Sequence, residues 1–519
     1  MPANPRFLAH DSSRRSLLRR GVALGSGIAL APLFTGLSAA NAEARGLGKG
    51  RPLRGTEELV PVADETTGLE LLKLPRGFRY STFGWTGDGM NDGSRTPDRH
   101  DGMAVVDADW RRGTVTLIRN HERGPIDTDF VPLIGDGSTP VYDGFALPGA
   151  VNGLGGGTTA VEYDLRAGRF VGATATLAGT LTNCAGGPTP WGSWLTCEEG
   201  VVSDPTDIFG QLFGRSLREH GYVYEVPAPR LGPASAVPIV AMGKMDHEAV
   251  AVDPRTSVVY LTEDNGPNSG FYRFLPDDRS RRIGSLERGG VLQMLRVAGT
   301  PNADLREPVQ GAVFDVDWVT IDDPNLDPEE LVSPGPGFPP VAGAGRSGPY
   351  LQGEAAGAAR FQRGEGCWYH RGVVYWVDTS GGAAGQGVVW AYLPHREKLL
   401  ALFVSPGEET ANNPDNITVS RRGGIVVCED GGSFTDAAGE TVGARLLAVD
   451  RRGNARAFAQ NTTVIDTVLP DRPWIPLDDY RSREFAGACF DPFGRTLFVN
   501  IQTPGITFAI TGPFARFGL

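Results

Sequence analysis

Carboxylates recur along this chain at the ends of short apolar strands. The first such endings are Ile118-Arg119-Asn120-His121-Glu122, Leu195-Thr196-Cys197-Glu198-Glu199-Gly200 and Leu261-Thr262-Glu263-Asp264-Asn265-Gly266. They return as Trp376-Val377-Asp378-Thr379-Ser380-Gly381, Val427-Cys428-Glu429-Asp430-Gly431 and Val499-Asn500-Ile501-Gln502-Thr503. One such turn is ordinarily just solvated. Six on a repeat, if folded to one place, would repel one another unless cations sat between them. The endings nominate Glu198, Glu199, Glu263, Asp264 and Asp430.

A second polar set precedes other apolar strands. It comprises Thr182-Asn183-Cys184-Ala185-Gly186-Gly187, Asp246-His247-Glu248-Ala249, Arg363-Gly364-Glu365-Gly366, Pro414-Asp415-Asn416-Ile417 and Phe485-Ala486-Gly487. It adds Glu248, Glu365, Asp415 and Asn416 as oxygen donors and Cys184 as a sulfur donor. Hard oxygen donors in number suit Ca²⁺. A thiolate among carboxylates also suits a transition metal such as iron. His121 and His247 are read as core or mouth histidines, and Cys197 as a packed strand residue. No Gly-x-Ser-x-Gly elbow occurs, and Gly155-Gly156-Gly157-Thr158-Thr159 lacks the lysine of a phosphate loop.

Strands must carry these groups. Gly221–Val226, Val237–Met242, Ala249–Pro254 and Val258–Glu263 read as four short strands separated by turn residues, the unit of a propeller blade. Similar units open at Gly387 and Ala444. Six endings predict an all-β, six-bladed β-propeller. Its ring is expected to close by pairing Ile506–Ile510 with the strand near Phe78. The 71 glycines fit many tight turns. The pattern breaks over about 276–360, read as an insertion within one blade. It contains the run Ser333–Pro340 and a helix expected over Tyr350–Arg360.

The remaining features bound location and partners. Ser13-Arg14-Arg15-Ser16-Leu17-Leu18-Arg19, a weakly apolar stretch and Ala40-Asn41-Ala42 form a twin-arginine signal peptide over 1–42. The mature chain, 43–519, is expected as a single propeller domain. It would be periplasmic or secreted, with the export machinery as a partner and no stable membrane anchor. A net charge of −12 without a basic stripe argues against nucleic acid. An acidic protein binding a phosphate ester needs metals or a placed arginine to reverse the local field. Five cysteines leave at least one unpaired within the chain.

Asn183-Cys184-Ala185-Gly186-Gly187, followed by Thr189-Pro190-Trp191-Gly192-Ser193-Trp194-Leu195-Thr196-Cys197-Glu198-Glu199, resembles the hallmark of the PhoX-type alkaline phosphatases. His247-Glu248, Arg363-x-Glu365 and Pro414-Asp415-Asn416 resemble further motifs of that family. The likeness spans about Leu74 to Pro513. It departs at Gly364-Glu365-Gly366, where a Pro-Glu-Trp type is associated with the family. The resemblance implies a six-bladed propeller with an iron and calcium cluster, hydrolysing small phosphate monoesters. Carried over, Cys184 is the thiolate ligand of Fe³⁺. Glu198, Glu199, Glu248, Glu365 and Asp415 are carboxylate ligands of iron and Ca²⁺, and Arg363 contacts the phosphate. Glu263, Asp264, Asn416 and Asp430 are further candidates. A monomer is expected. Two alternatives stay open: another metal-dependent hydrolase, such as a phosphodiesterase or lactonase, and a non-catalytic calcium-binding propeller.

Overall fold

The structure, a computed structural model, describes residues 57–124, 138–144, 155–203, 218–329 and 345–519. The signal segment and the Ser333–Pro340 run lie outside them. Six strands line the centre: His100–Asp109, Asn183–Pro188, His247–Val252, Gly364–His370, Pro414–Val419 and Phe485–Phe490. Each neighbours the next, and the last neighbours the first, so they form a closed ring. From each, a meander of antiparallel strands runs outward, as in a propeller.

Glycine permits this closeness. A Cβ on Gly366 would lie 2.7 Å from the Asp415 carbonyl oxygen, and one on Gly102 would lie 2.5 Å from Ala185 Cα. The apolar cores lie between adjacent blades. Between the third and fourth, Phe271 and Trp376 stack at 3.8 Å, with Trp390 stacked on Trp376.

The blades follow the expected repeat in a shifted phase. The strands at His247–Val252 and Val259–Glu263 open the third blade, whereas Val223–Pro227 belongs to the second. The strand expected at Val237–Met242 is instead a single bridge, Tyr224 to Pro238, followed by a 3₁₀ turn at Val240–Met242. The ring closes in the sixth blade as expected, with Arg79–Phe83 antiparallel to Ile506–Thr511.

The segment read as an insertion, 276–360, carries regular strands. Gly290–Val297 is the fourth strand of the third blade. Val313–Thr320 pairs with it through Val316–Thr320 and with the fourth blade's Lys398–Val404 through Val313–Asp315. Two blades thereby share one nine-stranded sheet. The helix forms at Gly348–Ala355, capped by the Ser347 hydroxyl, which accepts the Tyr350 N–H at 3.1 Å.

One backbone hydrogen bond repeats in all six blades. The residue after the second strand donates its N–H to the carbonyl of the residue before the inner strand. The pairs are Glu122–Arg99, Glu199–Thr182, Asp264–Asp246, Thr379–Arg363, Asp430–Asn413 and Gln502–Glu484, at 2.9–3.3 Å. Four of the accepting residues, Arg99, Thr182, Arg363 and Asn413, hold φ of 45–52°. That left-handed geometry costs about 1 kcal/mol or more at each non-glycine position. It turns the chain sharply into the ring.

Candidate metal centre

Side chains alternate along a strand, so consecutive residues of an ending face different ways. The first residue of the pair faces into its blade. Glu198 accepts the N–H groups of Leu181, Gly221 and Tyr222 at 2.9–3.1 Å and pairs with His220 at 2.7 Å. Glu263 accepts Gly270 N–H at 3.0 Å, Tyr272 Oη–H at 2.7 Å and the Ser347 hydroxyl. Glu429 accepts Asn412 N–H at 2.8 Å and Arg445 N–H at 3.0 Å. These carboxylates fasten neighbouring elements of a blade to one another. Glu198 and Glu263, expected as ligands from the sequence, are committed to that role and lie outside the acidic groups at the axis.

The second residue of the pair reaches the axis, where it meets the starts of the inner strands. Four groups form among the described residues, each with ligand atoms within 4.8 Å of one another. They are Cys184, Glu199 and Glu248; Glu248, Glu365 and Asp415; Asp415, Asp430 and Glu484; and Asp101, Glu122 and Glu484. Glu248, Asp415 and Glu484 each belong to two groups, so the four are linked in a row. Sulfur stands at one end of the row, and the rest is carboxylate.

The electrostatics fit cations. Burial, and then the neighbouring carboxylates, push Glu199, Glu248, Glu365, Glu484 and Asp101 well above the usual carboxylate range. Asp415 is pushed to about 7 by burial and then by Asp430. The Cys184 thiol is raised by burial, then by Glu248 and Glu199, and it points at the His247 carbonyl, 3.3 Å away. Without cations these groups must take up protons to coexist. With them, each carboxylate gains opposite charge and the thiol ionises. The donor sets match: one sulfur with two carboxylates for a transition metal, all-oxygen groups for calcium.

Arg363 brings the positive charge to this rim. Its Nε lies 2.8 Å from Asp264 Oδ1, and its Nη2 donates to Asp264 and, at 3.0 Å, to Glu365. Asp264 therefore holds the guanidinium and stands outside the four groups. Nη1 has no hydrogen-bond partner among the described residues, and a third of the side chain is exposed. Asn416, expected as a ligand, has both ends of its amide engaged. Nδ2 donates to Asp415 at 2.7 Å, and Oδ1 accepts Gly487 N–H at 2.7 Å. It orients Asp415 from the joint between two blades.

Three group members were not nominated from the sequence. Glu122 lies in a quoted ending, at the position of Glu199. Asp101 occupies the position of Cys184, Glu248, Glu365 and Asp415, one residue into its inner strand. Glu484 corresponds to Arg363, just before its inner strand. Aligning the six inner-strand starts would have found Asp101 and Glu484, and aligning the six endings would have found Glu122.

The family model for the alkaline phosphatase PhoX matches residues 56–505. The chain belongs to the PhoX alkaline phosphatase family. It is a metal-dependent phosphomonoesterase of that family. The structure of Pseudomonas fluorescens PhoX in complex with vanadate, a transition state analogue, aligns with a TM-score of 0.59 at 18% identity. That alignment covers 89% of this chain and 98% of the other, and it supports the propeller fold. A gluconolactonase from Xanthomonas campestris aligns at a TM-score of 0.36 and 11% identity, covering 89% of this chain and 99% of its own. No curated protein matched in sequence. Family members are exported periplasmic enzymes. No helix among the described residues is long and apolar enough to cross a membrane.

Proposed function

We propose that the axial row holds iron at its sulfur end and calcium along its carboxylates, and that the site hydrolyses small phosphate monoesters. The protein would work as a monomer in the periplasm or outside the cell, after twin-arginine export. The observation that carries this reading is the row itself: four linked groups of buried and half-buried donors, with three shared carboxylates and one thiol. Cys184, Glu199 and Glu248 would hold the iron. Glu365, Asp415, Asp430, Glu484, Asp101 and Glu122 would complete the oxygen sites. When bound, such ions supply Lewis-acid charge and acidify water.

The chain's own residues then have distinct work. The carboxylates fix the cations and, through them, the field that an anionic ester meets. Arg363, gripped by Asp264 and Glu365, presents Nη1 with a donor to spare. Its fixed plane suits a phosphoryl oxygen, whose charge it would help to stabilise as the ester bond breaks. The vanadate held by the Pseudomonas relative supports phosphoryl transfer as the chemistry.

The test is an assay of purified, metal-loaded protein on a chromogenic phosphate monoester, a diester and a lactone, with and without chelator, alongside metal analysis. Chelator-sensitive turnover of the monoester is expected. Cys184→Ser protein is expected to lose iron and keep calcium. Preference for the diester or lactone, or calcium without any turnover, would overturn the monoesterase reading in favour of those alternatives.

A further inference from the structure

Each candidate metal group draws ligands from more than one blade, and Glu248, Glu365 and Asp415 come from three, so blade-to-blade spacing decides whether the donors meet one ion. Thr262, fully buried in the second strand of the third blade, lies between two ligand-bearing strands. Its hydroxyl donates to the Glu365 carbonyl in the fourth blade at 2.5 Å. The same oxygen accepts the N–H of Ala249, the residue after Glu248, at 3.1 Å. A hydroxyl has one proton, and the Ala249 carbonyl, at 3.3 Å, is the longer alternative for it. Glu248 and Glu365 share a group with Asp415.

We propose that Thr262 is a positioning residue of the metal centre, setting the separation of Glu248 and Glu365 by joining their two backbones through one hydroxyl. The proposal rests on the reading that this group holds a cation. The same device recurs at the corresponding position of two other blades. Asn120 donates from Nδ2 to the carbonyls of Cys184 at 3.1 Å and Ala185 at 2.7 Å. Asn500 donates from Nδ2 to the carbonyl of Asp101 at 2.7 Å. Each of the three stands two residues before the residue whose N–H closes the turn of its blade, Glu122, Asp264 or Gln502, and each grips the next blade at the residue whose side chain enters the row. The fourth blade has Val377 there, so the strand does not itself require a hydroxyl.

That valine makes Thr262→Val a fair test, since it keeps the branched shape and removes the donor. Thr262→Ser restores the hydroxyl. Full-length protein is stripped with chelator, then titrated with calcium alone by calorimetry and melted in both states. Outer-shell partners of metal ligands typically change affinity by about 10–100-fold. Thr262→Val is therefore expected to weaken calcium binding at least about tenfold. Its melting in chelator should stay close to that of wild type, and Thr262→Ser should bind nearly as wild type. In the metal-loaded enzyme, kcat should fall more than KM rises. Equal losses of melting temperature with and without calcium, at unchanged affinity, would overturn the positioning role. If wild-type protein takes up no calcium, the cation reading of the group falls, and this inference with it. Should Thr262→Val not fold, Thr262→Ala removes the same donor without adding bulk and is judged by the same outcomes.

Discussion

Glu198 and Glu199 are adjacent, yet Glu198 accepts three backbone N–H groups inside its blade while Glu199 meets Cys184 and Glu248 at the axis. Strand alternation thus turns one carboxylate into the blade and the next toward the axial group proposed to hold metal. Glu198→Gln should cost about 3 kcal/mol of stability, since it leaves buried donors poorly matched. Glu199→Gln should lower metal content and leave the stripped protein as stable as wild type or more so, because one buried repulsion is gone. Denaturant melts in chelator, paired with metal analysis, separate the two. Similar stability losses in both variants would contradict the division.

His220 gives the protein an alkaline limit. Burial alone would keep the imidazole neutral, but the Glu198 carboxylate and then Asp143 raise it to about 9. The folded chain therefore holds a proton that the unfolded chain releases near 6.5. The resulting stability is fully present below about pH 6.5 and is lost as pH rises through about 9, with an upper limit of about 3 kcal/mol. Calcium-saturated His220→Gln should show a flatter profile than wild type between these values. Parallel profiles would show that the pair contributes nothing.

Stripping the metals should reverse the usual effect of mild acid. In the metal-free chain, Asp415 is raised to about 7 and its neighbours upward, by burial and mutual repulsion. The folded state then binds protons that an unfolded carboxylate gives up near pH 4. Metal-free protein should therefore melt several degrees higher at pH 6 than at pH 8, while calcium-loaded protein should show only the smaller rise that His220 contributes. A stripped protein that melts identically at both values would mean the carboxylates do not share a buried site.

Arg363→Lys keeps a charge but cannot span Asp264 and Glu365 in the same plane. Both Arg363→Lys and Arg363→Ala should lower kcat by about 10²–10³-fold, the scale of one transition-state donor. Calcium and iron contents should remain near wild type. Unchanged turnover would remove Arg363 from the reaction.

How far the sequence revealed the centre depended on parity and register. The endings repeat visibly, so the propeller, its closure by Arg79–Phe83 and the gathering of Cys184, Glu199, Glu248, Glu365, Asp415 and Asp430 at the axis were legible. Glu198 and Glu199 are chemically identical, and only their strand register tells them apart. The same holds for Glu263 and Asp264. Asp101 and Glu484 escaped notice because their neighbours differ from those of equivalent residues: His100-Asp101-Gly102 carries no cysteine or second acid, and Glu484 precedes a plain Phe-Ala-Gly. Asn416 resembles a ligand by type, and its role was fixed by a glycine N–H in the next blade, a contact between residues far apart in sequence. The strands at Gly290–Val297 and Val313–Thr320 were hidden by long intervening turns.

The strand at Arg79–Phe83 has a kinetic meaning. Arg79 and Thr511, hydrogen-bonded across the closing sheet, stand 432 positions apart in sequence. Pairing so distant is slow to form, because nearly the whole polypeptide must be ordered before the contact repays its entropy. Until then the first and last blades stand apart, and Asp101 and Glu122 cannot meet Glu484. The hoop must be fastened before the row of acids is whole, so cation loading in full belongs to the finished molecule and not to the nascent one.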